Sequence, residues 1–213
     1  MSRRSVITRW AALLAVASVG VLGFGAPLYA QQGDGMQPPG GAGGQPQSVE
    51  PGIFPNEAIG YSITIPEGFT GMSMPEPANV LIVSELAMGD AGGGGNRQFM
   101  VGYSTGEQAG EPIPDFAAGD LEEVRRMLQS SNRGPGPQTQ LNVEETTREQ
   151  IGGRQGVRIA FTTTAPGGGQ TIHGVMYAVN HRGGALVVQY FAGDSGEVLT
   201  TFAAENIATL SLR

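Results

Sequence analysis

The chain contains no cysteine and no lysine. Without thiols there is no disulfide framework, no thiolate nucleophile or metal ligand, and no cysteine to carry a lipid. All twelve basic residues are arginine, which removes P-loop chemistry, dependent on a lysine at the phosphates, and Schiff-base chemistry, dependent on an amine. Tryptophan occurs once, at Trp10, and histidine twice, at His173 and His181. Positive charge is also scarce. Nineteen carboxylates outnumber the arginines and give a net charge of −7, which argues against nucleic acid and anionic membrane surfaces as partners.

The first thirty residues have the three parts of an export signal. Arg3, Arg4 and Arg9 precede an uncharged apolar run from Trp10 to Tyr29, and a small residue, Ala30, closes it. Residues 1–30 are therefore expected to be removed, with Gln31 first in the mature chain, which places the protein in the periplasm or outside the cell. The cut would leave −10, because it removes three arginines and no carboxylate. Retention as an anchor is the alternative, since Trp10 to Tyr29 is long enough to cross a bilayer core of about 30 Å. Gly20, Gly23, Gly25 and Pro27 weaken such a helix, so no membrane insertion is expected after cleavage. Ser2-Arg3-Arg4 resembles a twin-arginine start, but Ser5 to Thr8 lack the usual Phe-Leu-Lys, and ordinary secretion is the expected route.

Residues 31–52 are Gly, Gln and Pro with hardly an apolar side chain, a composition that cannot offset the entropy of ordering. They read as a disordered tether, and residues 53–213 as one domain with one core. In that domain the apolar period is mostly two. Tyr61, Ile63 and Ile65 alternate with Ser62 and Thr64 before Pro66-Glu67-Gly68. Further strands are expected at Val80 to Ala87, Gln98 to Ser104, Leu141 to Ile151, Gly156 to Thr164, Thr171 to Asn180 and Ala185 to Ala192, divided by glycine-rich turns.

Two segments have helical spacing. Between Pro114 and Ser131, the residues Ala117, Leu121, Val124 and Leu128 form a stripe, Asp120 can cap the turn that follows, and Gly134-Pro135 ends it. A second helix starts near Ser195 and aligns Leu199, Ala203, Ile207 and Leu210. Both faces of Ala185 to Phe191 are apolar, so the sheet needs cover on each side. The expected fold is α+β, a three-layer α/β/α sandwich around a mainly antiparallel sheet of about seven strands.

This order of elements resembles the Mog1/PsbP-like fold, in particular the PsbP-related and DcrB-like exported bacterial proteins. Gly60 to Phe69 looks like the family's opening F-x-x-P-x-G-W strand and turn, with Phe69 in place of Trp. Phe116 to Leu128 matches the middle helix. Gly156 to Phe161, the ribbon Ile172 to Phe191, and Phe202, Ile207 and Leu210 are similar to the closing strands and F-x-x-I-x-x-S-F helix. The resemblance covers nearly all of Ile59 to Leu212. It implies a fold and an accessory or binding role; the family has no invariant catalytic set, so no site residue carries over.

Gly102-Tyr103-Ser104-Thr105-Gly106 satisfies G-x-S-x-G after a strand, but Gly110, Pro112 and Pro114 oppose the helix that a nucleophile elbow requires. Gly193-Asp194-Ser195-Gly196 resembles a serine-protease nucleophile segment but lacks the preceding histidine and aspartate, and reads as a helix cap. His173 and His181, eight residues apart on a strand, would be separated by about 26 Å and cannot share an ion. Glu144, Glu145 and Glu149 form an acidic strand that could recruit a divalent cation or simply face solvent. Phe161, Tyr177, Tyr190 and Phe191 could line an apolar cleft or fill the core. No catalytic, metal-binding or cofactor-binding residue is assigned and no cofactor is expected. The reading is an exported, non-catalytic accessory or binding module for a protein or small ligand. The alternatives are an exported serine hydrolase using Ser104 and an envelope-anchored structural domain.

Overall fold

Hydrogen-bonded ladders dominate the chain. The computed structural model describes residues 45–75, 78–86, 97–106, 112–131, 140–164, 171–193 and 196–213. An eight-stranded, wholly antiparallel sheet is built from β1 (Gln47–Val49), β4 (Phe69–Met74), β5 (Val80–Glu85), β6 (Gln98–Thr105), β7 (Gln140–Ile151), β8 (Arg154–Thr164), β9 (Thr171–His181) and β10 (Gly184–Ala192). Their spatial order is β1-β4-β5-β6-β10-β9-β8-β7. A second, three-stranded sheet places β3 (Tyr61–Ile65) between β2 (Gly52–Asn56) and β11 (Ser211–Leu212). Two helices are described, α1 (Leu121–Ser131) and α2 (Gly196–Ile207).

The alternation along β10 divides the core. Leu186, Val188 and Tyr190 pack with Phe99, Tyr177 and, from α2, Leu199 and Phe202. Ala185 and Phe191 face the other way, with Ile159, Phe161 and, from α1, Val124. Because side chains of a strand point alternately to its two faces, these are the two faces of one sheet. We call them the α2 face and the α1 face. The small sheet also lies on the α2 face, where Ile63 and Ile65 join the same cluster. Asn206 of α2 ties the two sheets together, since its Nδ2 donates to Thr64 O at 2.8 Å and its Oδ1 accepts from the Tyr190 hydroxyl at 3.0 Å.

Several expectations need correction. The fold is mainly sheet, and cover on the α2 face is shared between a helix and a second sheet, so helical layers alone do not enclose it. The eight strands of the main sheet exceed the seven expected, and Tyr61–Ile65, read as the first of that set, belongs to the small sheet. The strands missed at the sequence level, β1, β2, β4 and β11, carry no alternating β-branched run. Gly71 interrupts β4, Pro55 sits in β2, and β1 and β11 have three and two residues. Proline is tolerated there because β2 is an edge strand.

Part of the segment expected to be a tether is a strand. Gln47–Val49 pairs with β4 and Val49 is buried, so the ordered domain includes residues placed in the linker; residues 1–44 lie outside the described ones. The first helix is also shorter than the stripe from Pro114. Asp115 Oδ1 accepts from Ala117 N and Ala118 N at 2.9 Å and closes a separate turn. Asp120 then caps α1 as expected, accepting from Glu122 N at 3.0 Å. Asn180 holds the separate turn to the sheet: its Oδ1 accepts from Phe116 N at 2.8 Å and its Nδ2 donates to Pro114 O at 2.7 Å. Arg148 donates to the carbonyls of Phe116, Ala117 and Gly119.

Candidate functional site

At one end of the main sheet a cleft of ≈ 360 Å³ opens between the first turn of α2 and strands β7, β8 and β9. Its floor is Ala160, Gly174 and Val175, and its polar rim is Glu144, His173, Glu197, Thr200 and Thr201. The His173 ring packs against Gly196, with Nδ1 2.9 Å from where a side-chain carbon at 196 would stand. Glu144 owes its position to a bulge, as the β7–β8 register shifts between Val143 and Glu145 and leaves it without a cross-strand partner. Such an extra residue re-aims a side chain locally.

The neighbouring carboxylate is already committed. Glu145 forms an ion pair with Arg158 at 2.6 Å, whereas Glu144 and Glu197 have none among the described residues. Thr200 and Thr201 donate their hydroxyls to Gly196 O and Glu197 O at 2.8 and 3.1 Å, which leaves their oxygens as acceptors. The cleft therefore offers carboxylate and hydroxyl acceptors and one imidazole. Among the described residues no group of three His, Asp or Glu side chains could hold a metal ion.

The structure scatters the serine-hydrolase candidates. Ser104, on β6, lies across from Ala185, which faces α1. Its Oγ donates to Thr105 O at 3.3 Å. His181 is in register with Gly184 and Thr105, one residue out of phase, and so points to the α2 face, where its Nε2 meets Ile59 O at 2.9 Å. His173 lies at the far end of β9. Neither histidine can take a proton from Ser104. Asp194 and Ser195 of the second motif lie outside the described residues, as do residues 107–111 that follow Ser104.

The remaining candidates separate too. Tyr177 and Tyr190 belong to the α2 face and Phe161 and Phe191 to the α1 face, so the four rings are core of two clusters, and Phe161 alone also borders the cleft. Burial, followed by the Glu149 charge, holds the Tyr177 phenol above its usual value. Of the acidic strand, Glu144 lines the cleft, Glu145 pairs with Arg158, and Glu149 stands opposite Gly156. Glu197, Thr200 and Thr201 were not singled out at the sequence level. A helix start directly after an apolar strand was the available signal.

His181 is 1% exposed, and its Nδ1 has no partner among the described residues. Burial depresses its pKa below the usual 6.5, opposed by the bond to Ile59 O and reinforced by Arg154 and Arg182. The ring is thus neutral, with Nε2–H donating to Ile59 O. Because the unfolded chain binds this proton more readily, the stabilisation is complete above about pH 6.5 and is lost as pH falls through the depressed folded value. Urea midpoints are expected to drop more steeply below about pH 6.5 in the wild type than in His181→Gln. Parallel pH profiles would contradict this assignment.

No protein-family model matches the chain, and no curated protein sequence does. Solved structures do match it. The match to a PsbP protein shows that this chain has the PsbP/Mog1-like fold. The solution structure of cyanobacterial PsbP (CyanoP) from Synechocystis sp. PCC 6803 superposes with a TM-score of 0.54 at 13% identity, over 84% of this chain and 98% of that one. LpqN of Mycobacterium tuberculosis, involved in cell envelope biogenesis, gives 0.45 at 12% identity over 79% and 92%. PA94 of Pseudomonas aeruginosa, a protein of unknown function, gives 0.42 at 11% identity over 74% and 92%.

Proposed function

We infer that this chain is an exported, non-catalytic accessory module that binds a small ligand in the cleft beside α2. The carrying observation is the cleft itself, in which Glu144 and Glu197 stand without ion pairs among the described residues and two threonine hydroxyls have already spent their protons on the helix backbone. Such a rim suits a ligand rich in N–H or O–H donors, neutral or cationic. The separation of Ser104 from both histidines removes the base that the hydrolase reading needs. Export rests on the basic and apolar leader. No helix among the described residues is long and apolar enough to cross a membrane.

The test is native mass spectrometry of the protein isolated from its own cell envelope without denaturation. A bound small molecule is expected in the wild type and is expected to be lost in Thr201→Trp, which fills the cleft from an exposed helix position. A ligand retained in Thr201→Trp would refute the cleft assignment. Covalent labelling of Ser104 by a fluorophosphonate would refute the non-catalytic reading.

A further inference from the structure

Polar bonds fasten the small sheet to the rest of the fold at two places, and the two differ in chemistry. At one, Asn206 Nδ2 donates to Thr64 O at 2.8 Å and Thr209 Oγ1 accepts from Thr64 N at 3.0 Å, bonds between groups that do not titrate. At the other, the β2–β3 turn carries the attachment. Asn56 closes that turn by accepting from Gly60 N at 2.7 Å and Ile59 N at 3.1 Å. Ile59 O accepts from His181 Nε2 of β9 at 2.9 Å. Gly60 O accepts from Arg213 N at 2.9 Å and so pins the end of β11, a strand of only two residues. An imidazole thus fastens the turn, and the turn fastens the strand.

The fastening depends on a neutral ring. His181 is 1% exposed and its Nδ1 has no partner among the described residues, so a proton added there meets neither an acceptor nor water. The charges that act on the ring are Arg154 of β8 and Arg182 of the β9–β10 turn, both positive. Arg154 Nη1 reaches Asn180 O at 3.5 Å, and the Arg182 guanidinium lies over Gly60. The other charged groups of this corner are Glu57, exposed on the β2–β3 turn, and Arg213, whose carboxylate oxygen meets Arg182 Nε at 3.2 Å. Its phenols are Tyr103, which donates to Arg182 O at 3.0 Å, and Tyr61, which burial pushes up to about 12 against the bond to Asn56. None of these gives Nδ1 an acceptor. A charged ring therefore has to leave its site to reach water.

We propose that His181 is an acid-sensitive latch: its protonation frees the β2–β3 turn and β11 from the main sheet, while the Asn206 end of the small sheet stays attached. Opening uncovers Ile59, Ile151 and Leu210, each 5% exposed or less, and so turns a closed corner into an apolar surface in mildly acidic surroundings. The released unit is local, which distinguishes the latch from a loss of global stability.

The test is amide hydrogen exchange, followed by NMR on the isotopically labelled full chain from about pH 7.5 to about pH 5, with intrinsic rates divided out. Exchange of the Gly60 and Arg213 amides is expected to accelerate by up to about tenfold per pH unit as the ring titrates. Thr64 N and the amides of α1 should keep their protection. His181→Gln, whose side-chain amide can still donate to Ile59 O, should show no acid acceleration. Arg154→Gln removes one repelling charge from the closed corner and should reduce the acceleration at the acid end. Equal acceleration across the whole domain would overturn the proposal, as would acceleration that persists in His181→Gln or is undiminished in Arg154→Gln. If His181→Gln does not fold, Arg154→Gln decides alone.

Discussion

Tyr190→Ala is expected to reduce the free energy of unfolding by about 3–5 kcal/mol, as for other large aromatic truncations in a packed core. Tyr190 is fully buried, and its ring meets Phe99, Tyr177 and Phe202 at centroid distances of 5.7, 5.9 and 5.7 Å. Its hydroxyl anchors Asn206, which in turn holds Thr64 of the small sheet. Truncation therefore opens a cavity and unlinks three elements. Burial keeps the phenol neutral by raising its pKa well above the usual value, so the bond to Asn206 persists at alkaline pH. Tyr190→Phe should cost less, about 1–3 kcal/mol, the penalty for leaving the Asn206 oxygen unpaired in the interior. Urea denaturation checks both values. A loss below about 1 kcal/mol in the alanine variant would show that the site collapses without a cavity.

Gly174→Val should cost about 3 kcal/mol, at the upper end for overpacking. Propensity argues the other way, because valine suits a strand better than glycine. The sign is decided by space. Gly174 is in register with both Phe161 and Phe191, and a side-chain carbon there would lie 2.2 Å from Phe161 Cζ. That ring is itself buried and packed edge-on against Phe191 at 6.0 Å, which opposes its moving aside. Gly174→Val combined with Phe161→Leu should recover part of the loss, a coupling that a double-mutant cycle measures. Greater stability in the single variant would mean that the ring has another place to go.

Strands β5 to β10 of the main sheet were legible because each repeats apolar residues at period two over several positions. Tyr61–Ile65 was equally legible as a strand, yet its sheet was not. Alternation reports which face of a strand is buried, and says nothing about which strand lies beside it. β1 escaped notice because Val49 is its one core residue in a stretch whose composition otherwise signals a tether. The α1 cap at Asp120 was readable from local chemistry. The division of the Pro114 to Ser131 stripe into a turn and a helix was not, since it depends on Asn180 and Arg148, which lie far along the chain.

The candidate sites show the same limit. The lack of thiol and lysine chemistry, the expectation of export, and the resemblance to the PsbP/Mog1-like order of elements rest on residue identity and local pattern, which a sequence carries in full. Three other features were decided by tertiary structure: the opposed directions of Ser104 and His181, the bulge at Glu144, and the cleft beside α2. Each depends on strand register. A shift of one residue between neighbouring strands turns every side chain to the other face, and register is set by packing among residues distant in sequence.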